Sequence, residues 1–235
     1  MERGQFTQVP VILGCSVREG TVATVFDGLS DKRFEFINNN PEVLVPSFLG
    51  LKEGSVEKKE AENEIWTFYF KGKPLSWDTI HEYLVCQSDI QFNFGMERTR
   101  SYLVEKSTAP VYTYLYTDHS RCLCQLQYVG ELSKLLSSET CHGADSLFTM
   151  DSGAIKTPDI TPEGREVIMK HVKAWTNFAT FGDPNHEHLG TVWEKDSVDS
   201  PCFLEMGTSW ILRSGLTLPD RIGFWKRLTG KYCKV

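Results

Sequence analysis

The run Val9-Pro10-Val11-Ile12-Leu13-Gly14 limits the fold more than any other part of the chain. It is short, continuous, β-branched and stopped by a glycine, with no polar residue alternating along it. A strand of that composition is apolar on both faces, which is the pattern of a parallel sheet covered by helices. A second strand is predicted over Ala109–Tyr116, where aromatic and β-branched residues alternate. The excursion between them is mostly helical in pattern. Gly54–Phe70 opens with a charge run that reads as a solvated helix face, and Ile65, Phe68 and Tyr69 recur at the spacing of a buried face. Lys71-Gly72-Lys73-Pro74 breaks that helix, and two more are predicted near Trp77–Val85 and Asp89–Val104. Strands joined by long helical excursions indicate an α/β fold rather than a sandwich or a bundle, here as one contiguous unit.

The second half continues the alternation. His119–Ser138 is predicted as a loop followed by a short helix around Val129–Leu136. Thr161 and Pro162 have the chemistry of a helix cap and first turn. Ile168, Val172, Trp175 and Ala179 then follow at helical spacing, and Gly182-Asp183-Pro184 ends the helix. Pro201–Met206 and Ser209–Arg213 read as a hairpin, and Pro219–Leu228 as a last amphipathic helix stopped by Gly230.

Composition excludes several functions. The 235 residues are 40% hydrophobic and 24% charged, an ordinary globular balance, with a formal net charge of −6. Lys and Arg are scattered without a basic stripe, so no nucleic-acid partner is expected. No apolar run approaches the length of a membrane span. The N-terminus has no hydrophobic leader segment, which points to the cytoplasm if Met1 is the initiator. No Asn-x-Ser/Thr acceptor for N-glycosylation occurs. Seven cysteines at irregular spacing are not a disulfide framework, and Cys122-x-Cys124 and His186-x-His188 lack zinc-site partners. No metal or cofactor is therefore expected.

The candidate chemistry lies in Cys141-His142-Gly143-Ala144-Asp145. By its neighbours alone His142 could be a catalytic base, a metal ligand or an ordinary loop residue. Glu19 lies just past the carboxyl end of the first strand, where open α/β sheets gather their functional groups. The order acid, then histidine, is that of the second and third members of an α/β-hydrolase triad. A glutamate there would hold the imidazole Nδ1 proton, and Nε2 would take a proton from a nucleophile.

Five stretches together resemble the type-B carboxylesterases, the cholinesterase-like branch of the α/β-hydrolases. They are Val9–Gly14 with Glu19-Gly20, Cys141–Phe148, Trp175–Asn185, Trp193 with Cys202–Gly207, and Phe224–Leu228. Their order and spacing match throughout the chain. The resemblance implies Glu19 as triad acid and His142 as triad base, a small-molecule ester as substrate, and a structural role for Asp145. It also implies a departure from the family pattern. Neither Gly14-Cys15-Ser16-Val17-Arg18 nor Gly207-Thr208-Ser209-Trp210-Ile211 completes Gly-x-Ser-x-Gly, and no Gly-rich oxyanion segment is present. Both elements belong upstream of the acid strand in the family. The expectation is thus the C-terminal part of an α/β-hydrolase fold, residues 1–235, with an incomplete central sheet flanked by helices. Such a chain is expected to be inactive alone, and its first strand to present an apolar edge that invites association. A non-catalytic, esterase-like binding or adhesion module is the alternative. Cys141 is a poor substitute nucleophile, because adjacent side chains in an extended segment diverge. Phe92, Phe94 and Phe148 could line an acyl or alcohol pocket, although packing is the simpler role for aromatic residues.

Overall fold

A computed structural model describes residues 4–26, 28–118, 140–146, 162–186 and 189–233. The predicted helix at Val129–Leu136, the Thr161 cap, Phe148 and His188 lie outside the described residues. The chain divides into two compact units, Met1–Arg18 with Gly95–Thr217 and Glu19–Phe94 with Leu218–Val235, where one contiguous unit was expected. The excursion after the first strand builds its own aromatic core with the last helix, which makes it a separate unit.

The first unit holds a four-stranded sheet in the order β1-β2-β3-β4. β1 (Val11–Ser16) and β2 (Val111–Tyr116) pair in parallel, β2 and β3 (Cys202–Met206) likewise, and β4 (Trp210–Ser214) closes a hairpin on β3. This is the α/β architecture expected, with the predicted hairpin in place. β2 is buried at all six positions because it has a neighbour on each side. β1 differs from its prediction in two ways. It starts at Val11, since Pro10 has no N–H to donate, and runs on through Gly14 to Ser16. It is also only half-buried from Val11 to Gly14, because among the described residues it pairs with β2 alone.

Aromatic side chains and one buried ion pair hold the layers of this unit together. Trp193 Nε1 donates to the Thr113 carbonyl at 3.0 Å, and its ring packs among Tyr112, Tyr114 and Trp175 at centroid distances of 5.9, 6.2 and 5.9 Å. Arg100 donates from Nε and Nη2 to both oxygens of Asp196 at 2.6 and 2.8 Å. Asp196 also accepts from the Thr113 hydroxyl at 2.7 Å and the Cys202 backbone N–H at 3.2 Å. A buried carboxylate held by four donors is fully compensated, which is the condition for keeping a charge in the interior.

The helix Pro162–Phe181 forms as expected, but its buried stripe is offset. Its most buried positions are His171, Ala174 and Asn177, whereas Val172 is 37% exposed and Ala179 is also exposed. Polar groups occupy the inner face because each is accommodated. His171 stacks on Trp175 at 4.1 Å with its edge to Trp210 at 5.8 Å, and Asn177 Nδ2 donates to the Pro184 carbonyl at 3.0 Å.

In the second unit the predicted helices appear as Val56–Phe70, Ile80–Ser88 and Pro219–Tyr232, with a one-turn π-helix at Asp89–Asn93 leading into the helix Phe94–Lys106. Ser55 caps the first by accepting from the Lys58 N–H, and Lys71 ends it in a left-handed conformation at φ 55°. Ile65 and Tyr69 are buried there, and Phe68 is half-buried. Gly230 does not stop the last helix, which runs to Tyr232. Lys231 at its end reaches Glu60 and Glu64 at 3.1 and 2.9 Å, and this exposed pairing supports the final turn. The hub is Asp89, fully buried. It takes the Arg221 guanidinium on both oxygens, the Tyr69 hydroxyl at 2.7 Å and Asn93 Nδ2 at 2.9 Å. Trp225 Nε1 in turn donates to Tyr69 Oη at 2.7 Å. Burial first, then the Asp89 charge, pushes the Tyr69 phenol far above its ordinary range. Among the described residues no helix is long and apolar enough to cross a membrane.

Candidate active site

Glu19 opens a short 3-10 turn, Glu19–Val22, and is 6% exposed. The turn is seated on the helix Ile80–Ser88 by its second residue. The Gly20 N–H donates to Ser88 Oγ at 2.8 Å, and that hydroxyl donates to the Leu84 carbonyl at 2.6 Å. A Cβ at Gly20 would lie 2.0 Å from the Leu84 carbonyl oxygen and 2.6 Å from the Ser88 nitrogen. Only glycine allows this approach, because the obstructing atoms are main chain and cannot swing away. The pair Glu19-Gly20 therefore has a physical reason: the glycine lets the backbone dock, and docking fixes where the carboxylate starts.

His142 is exposed, in a turn that follows the buried Thr140 and Cys141. The turn closes on itself through Ala144 N–H to the Cys141 carbonyl at 3.2 Å and Ser146 Oγ to the Gly143 carbonyl at 2.6 Å. Two further contacts tie it to the sheet within the first unit. The hydroxyls of Ser16 and Thr140, both buried, share a hydrogen bond of 3.1 Å, which joins the segment to the last residue of β1. The Tyr114 hydroxyl donates to Asp145 Oδ2 at 2.6 Å, which joins it to β2. The histidine segment is thus tied to the carboxyl end of β1, where the α/β principle places functional groups, and to the middle of β2 through the Tyr114 side chain. Sequence reasoning did not anticipate Ser16, Thr140 or Tyr114 in this role. The one available signal was a glycine within a strand, at Gly14, which marks a close approach.

Phe94 packs in the core of the second unit against Phe48 and Trp225, at 5.6 and 6.1 Å; Phe92 is half-buried. Cys141 is buried. Among the described residues no group of three or more His, Cys, Asp or Glu side chains is arranged to hold a metal ion.

The sequence matches the carboxylesterase family over residues 1–216. It is 26% identical over 189 residues to Esterase E4 of Myzus persicae, an alignment covering 79% of this chain and 33% of that protein. It is 24% identical over 197 residues to Venom carboxylesterase-6 of Apis mellifera, covering 78% of this chain and 33% of that protein. The fold superposes on juvenile hormone esterase from Manduca sexta with a TM-score of 0.72 at 15% identity, over 95% of this chain and 41% of that one. The chain therefore spans about a third of the length of the curated relatives it matches. With an α/β sheet that superposes on an esterase and a family match along most of its length, the chain belongs to the carboxylesterase family, the type-B esterases of the α/β-hydrolase fold.

Proposed function

We propose that this chain carries the acid and the base of a serine carboxylesterase, Glu19 and His142, without its nucleophile. The observation that supports this most is the Ser16–Thr140 hydrogen bond. It fixes the segment before His142 to the last residue of β1, and Glu19 follows that residue three positions later in the chain. In the reaction, the Glu19 carboxylate accepts a hydrogen bond from His142 Nδ1–H and holds one tautomer. Nε2 then removes a proton from a serine hydroxyl as it attacks the ester carbonyl, and returns it to the leaving alkoxide. The 235 residues contain no Gly-x-Ser-x-Gly elbow and no Gly-rich oxyanion segment. The chain by itself therefore has a base without the elbow serine that the family mechanism activates.

Two measurements test this. The purified chain is expected neither to hydrolyse p-nitrophenyl butyrate above buffer nor to be labelled by a fluorophosphonate; stoichiometric labelling would overturn the missing nucleophile. In the neutral imidazole, ¹⁵N chemical shifts of the His142 ring are expected to report mainly the Nδ1–H tautomer, and Glu19→Gln to shift the ring towards Nε2–H. A tautomer ratio indifferent to Glu19→Gln would overturn the acid–base pairing.

A further inference from the structure

We propose that Asp145 is a positioning residue for His142, acting through Tyr114 across a gap left by Gly14. The proposal rests on His142 being the base. Gly14 and Tyr114 are direct partners in the parallel β1–β2 register. A Cβ at Gly14 would lie 2.3 Å from Cδ1 of the Tyr114 ring, so the ring lies over the glycine and occupies the space a side chain would fill. Trp175 meets the ring edge-on at 5.6 Å. Held between a glycine and an indole, the phenol has little freedom, and its hydroxyl is delivered to Asp145 Oδ2 at 2.6 Å. The other oxygen, Oδ1, accepts the Ser146 backbone N–H at 2.9 Å. One carboxylate thus binds a strand side chain with one oxygen and its own turn with the other.

The geometry suits positioning rather than bulk stability. The contact between Tyr114 and Asp145 spans 31 residues, is only partly buried, and ends on the turn that presents His142. The other tie, Ser16 to Thr140, holds the segment two residues before the histidine. Held on both sides, the intervening residues cannot rotate as a free loop. A general base needs that constraint, because a displacement of about 1 Å is enough to cost roughly a hundred-fold in rate.

Tyr114→Phe, Asp145→Asn and the double variant of the intact chain test the proposal by amide hydrogen exchange and by the His142 ring spectrum. A hydrogen bond to a charged acceptor is lost in each single variant. Exchange across Cys141–Ser146 is expected to rise roughly ten- to a hundred-fold in each. The double variant is expected to be no faster than the faster single variant, since both remove one interaction. Exchange in β2 and β3 should stay unchanged, and the His142 ring resonances should broaden or split. Unchanged exchange at the turn, fully multiplicative effects, or equal acceleration throughout the first unit would each overturn the proposal. The exchange result does not depend on Glu19, so it stands or falls separately from the tautomer measurement with Glu19→Gln.

Discussion

His171 makes the first unit sensitive to acid in a way that can be worked out in advance. It is 1% exposed, stacked on Trp175 and edged by Trp210. Burial lowers its pKa to about 4 from an ordinary 6.5, and the nearby Asp145 charge opposes that shift without cancelling it. An unfolded chain takes up a proton at this histidine as pH falls through 6.5, whereas the native chain resists until about 4. The unfolded state therefore binds more protons within that window, and stability falls as pH falls across it, then levels off below. The span between the two values corresponds to about 3 kcal/mol. The assay is urea unfolding followed by tryptophan fluorescence, at neutral pH and at about pH 4, for the wild type and His171→Phe. The phenyl ring keeps a stacking partner for Trp175 and cannot titrate. The wild type is expected to lose about 3 kcal/mol more than the variant over this range. Equal losses in the two proteins, or a His171 ring proton that titrates near 6.5 by NMR, would refute the reasoning.

Three substitutions in the second unit separate these effects: two at glycine with opposite expected signs, and one at a charge with a large cost. Gly20→Ala drives a methyl into the Leu84 carbonyl and should cost about 3 kcal/mol or more in thermal unfolding, whereas Gly223→Ala in the last helix meets nothing within 4 Å and should gain about 0.5–1 kcal/mol; an unchanged melting temperature in the first would refute the docking argument. Arg221→Met leaves the Asp89 carboxylate buried without its guanidinium and should cost about 3–5 kcal/mol in chemical denaturation, with a cost below about 1 kcal/mol refuting the hub.

The sequence and the structure agree best where local chemistry decides the outcome. The β2 strand, the hairpin of β3 and β4, the Ser55–Lys71 helix and the position of Glu19 after the first strand follow from periodicity, caps and chain order. The stripe on Pro162–Phe181 was misread because apolar spacing cannot reveal a buried histidine and a buried asparagine. Their burial depends on Trp175, Trp210 and the Pro184 carbonyl, which only the tertiary fold supplies. Gly230 failed as a stop because Lys231 finds acidic partners on a helix far away in sequence. The ties that seat the histidine turn were equally illegible. Ser16 and Thr140 are 124 positions apart, and nothing in either neighbourhood marks them as a pair.

Gly14 also has a consequence for how the sheet chooses its alignment during folding. In a strand a slip by one residue turns every side chain to the opposite face. Here such a slip would take the Thr113 hydroxyl away from Asp196 and the Tyr114 hydroxyl away from Asp145 together. A slip by two preserves the faces, and hydrophobic patterning alone would tolerate it. It would bring Tyr112 or Tyr116 over Gly14 in place of Tyr114, and the Tyr114 hydroxyl would be carried away from Asp145. The one residue without a side chain in β1 thus gives a tyrosine ring room to lie flat, and the acceptor waiting beyond it tells the true register from the near misses that look equally apolar.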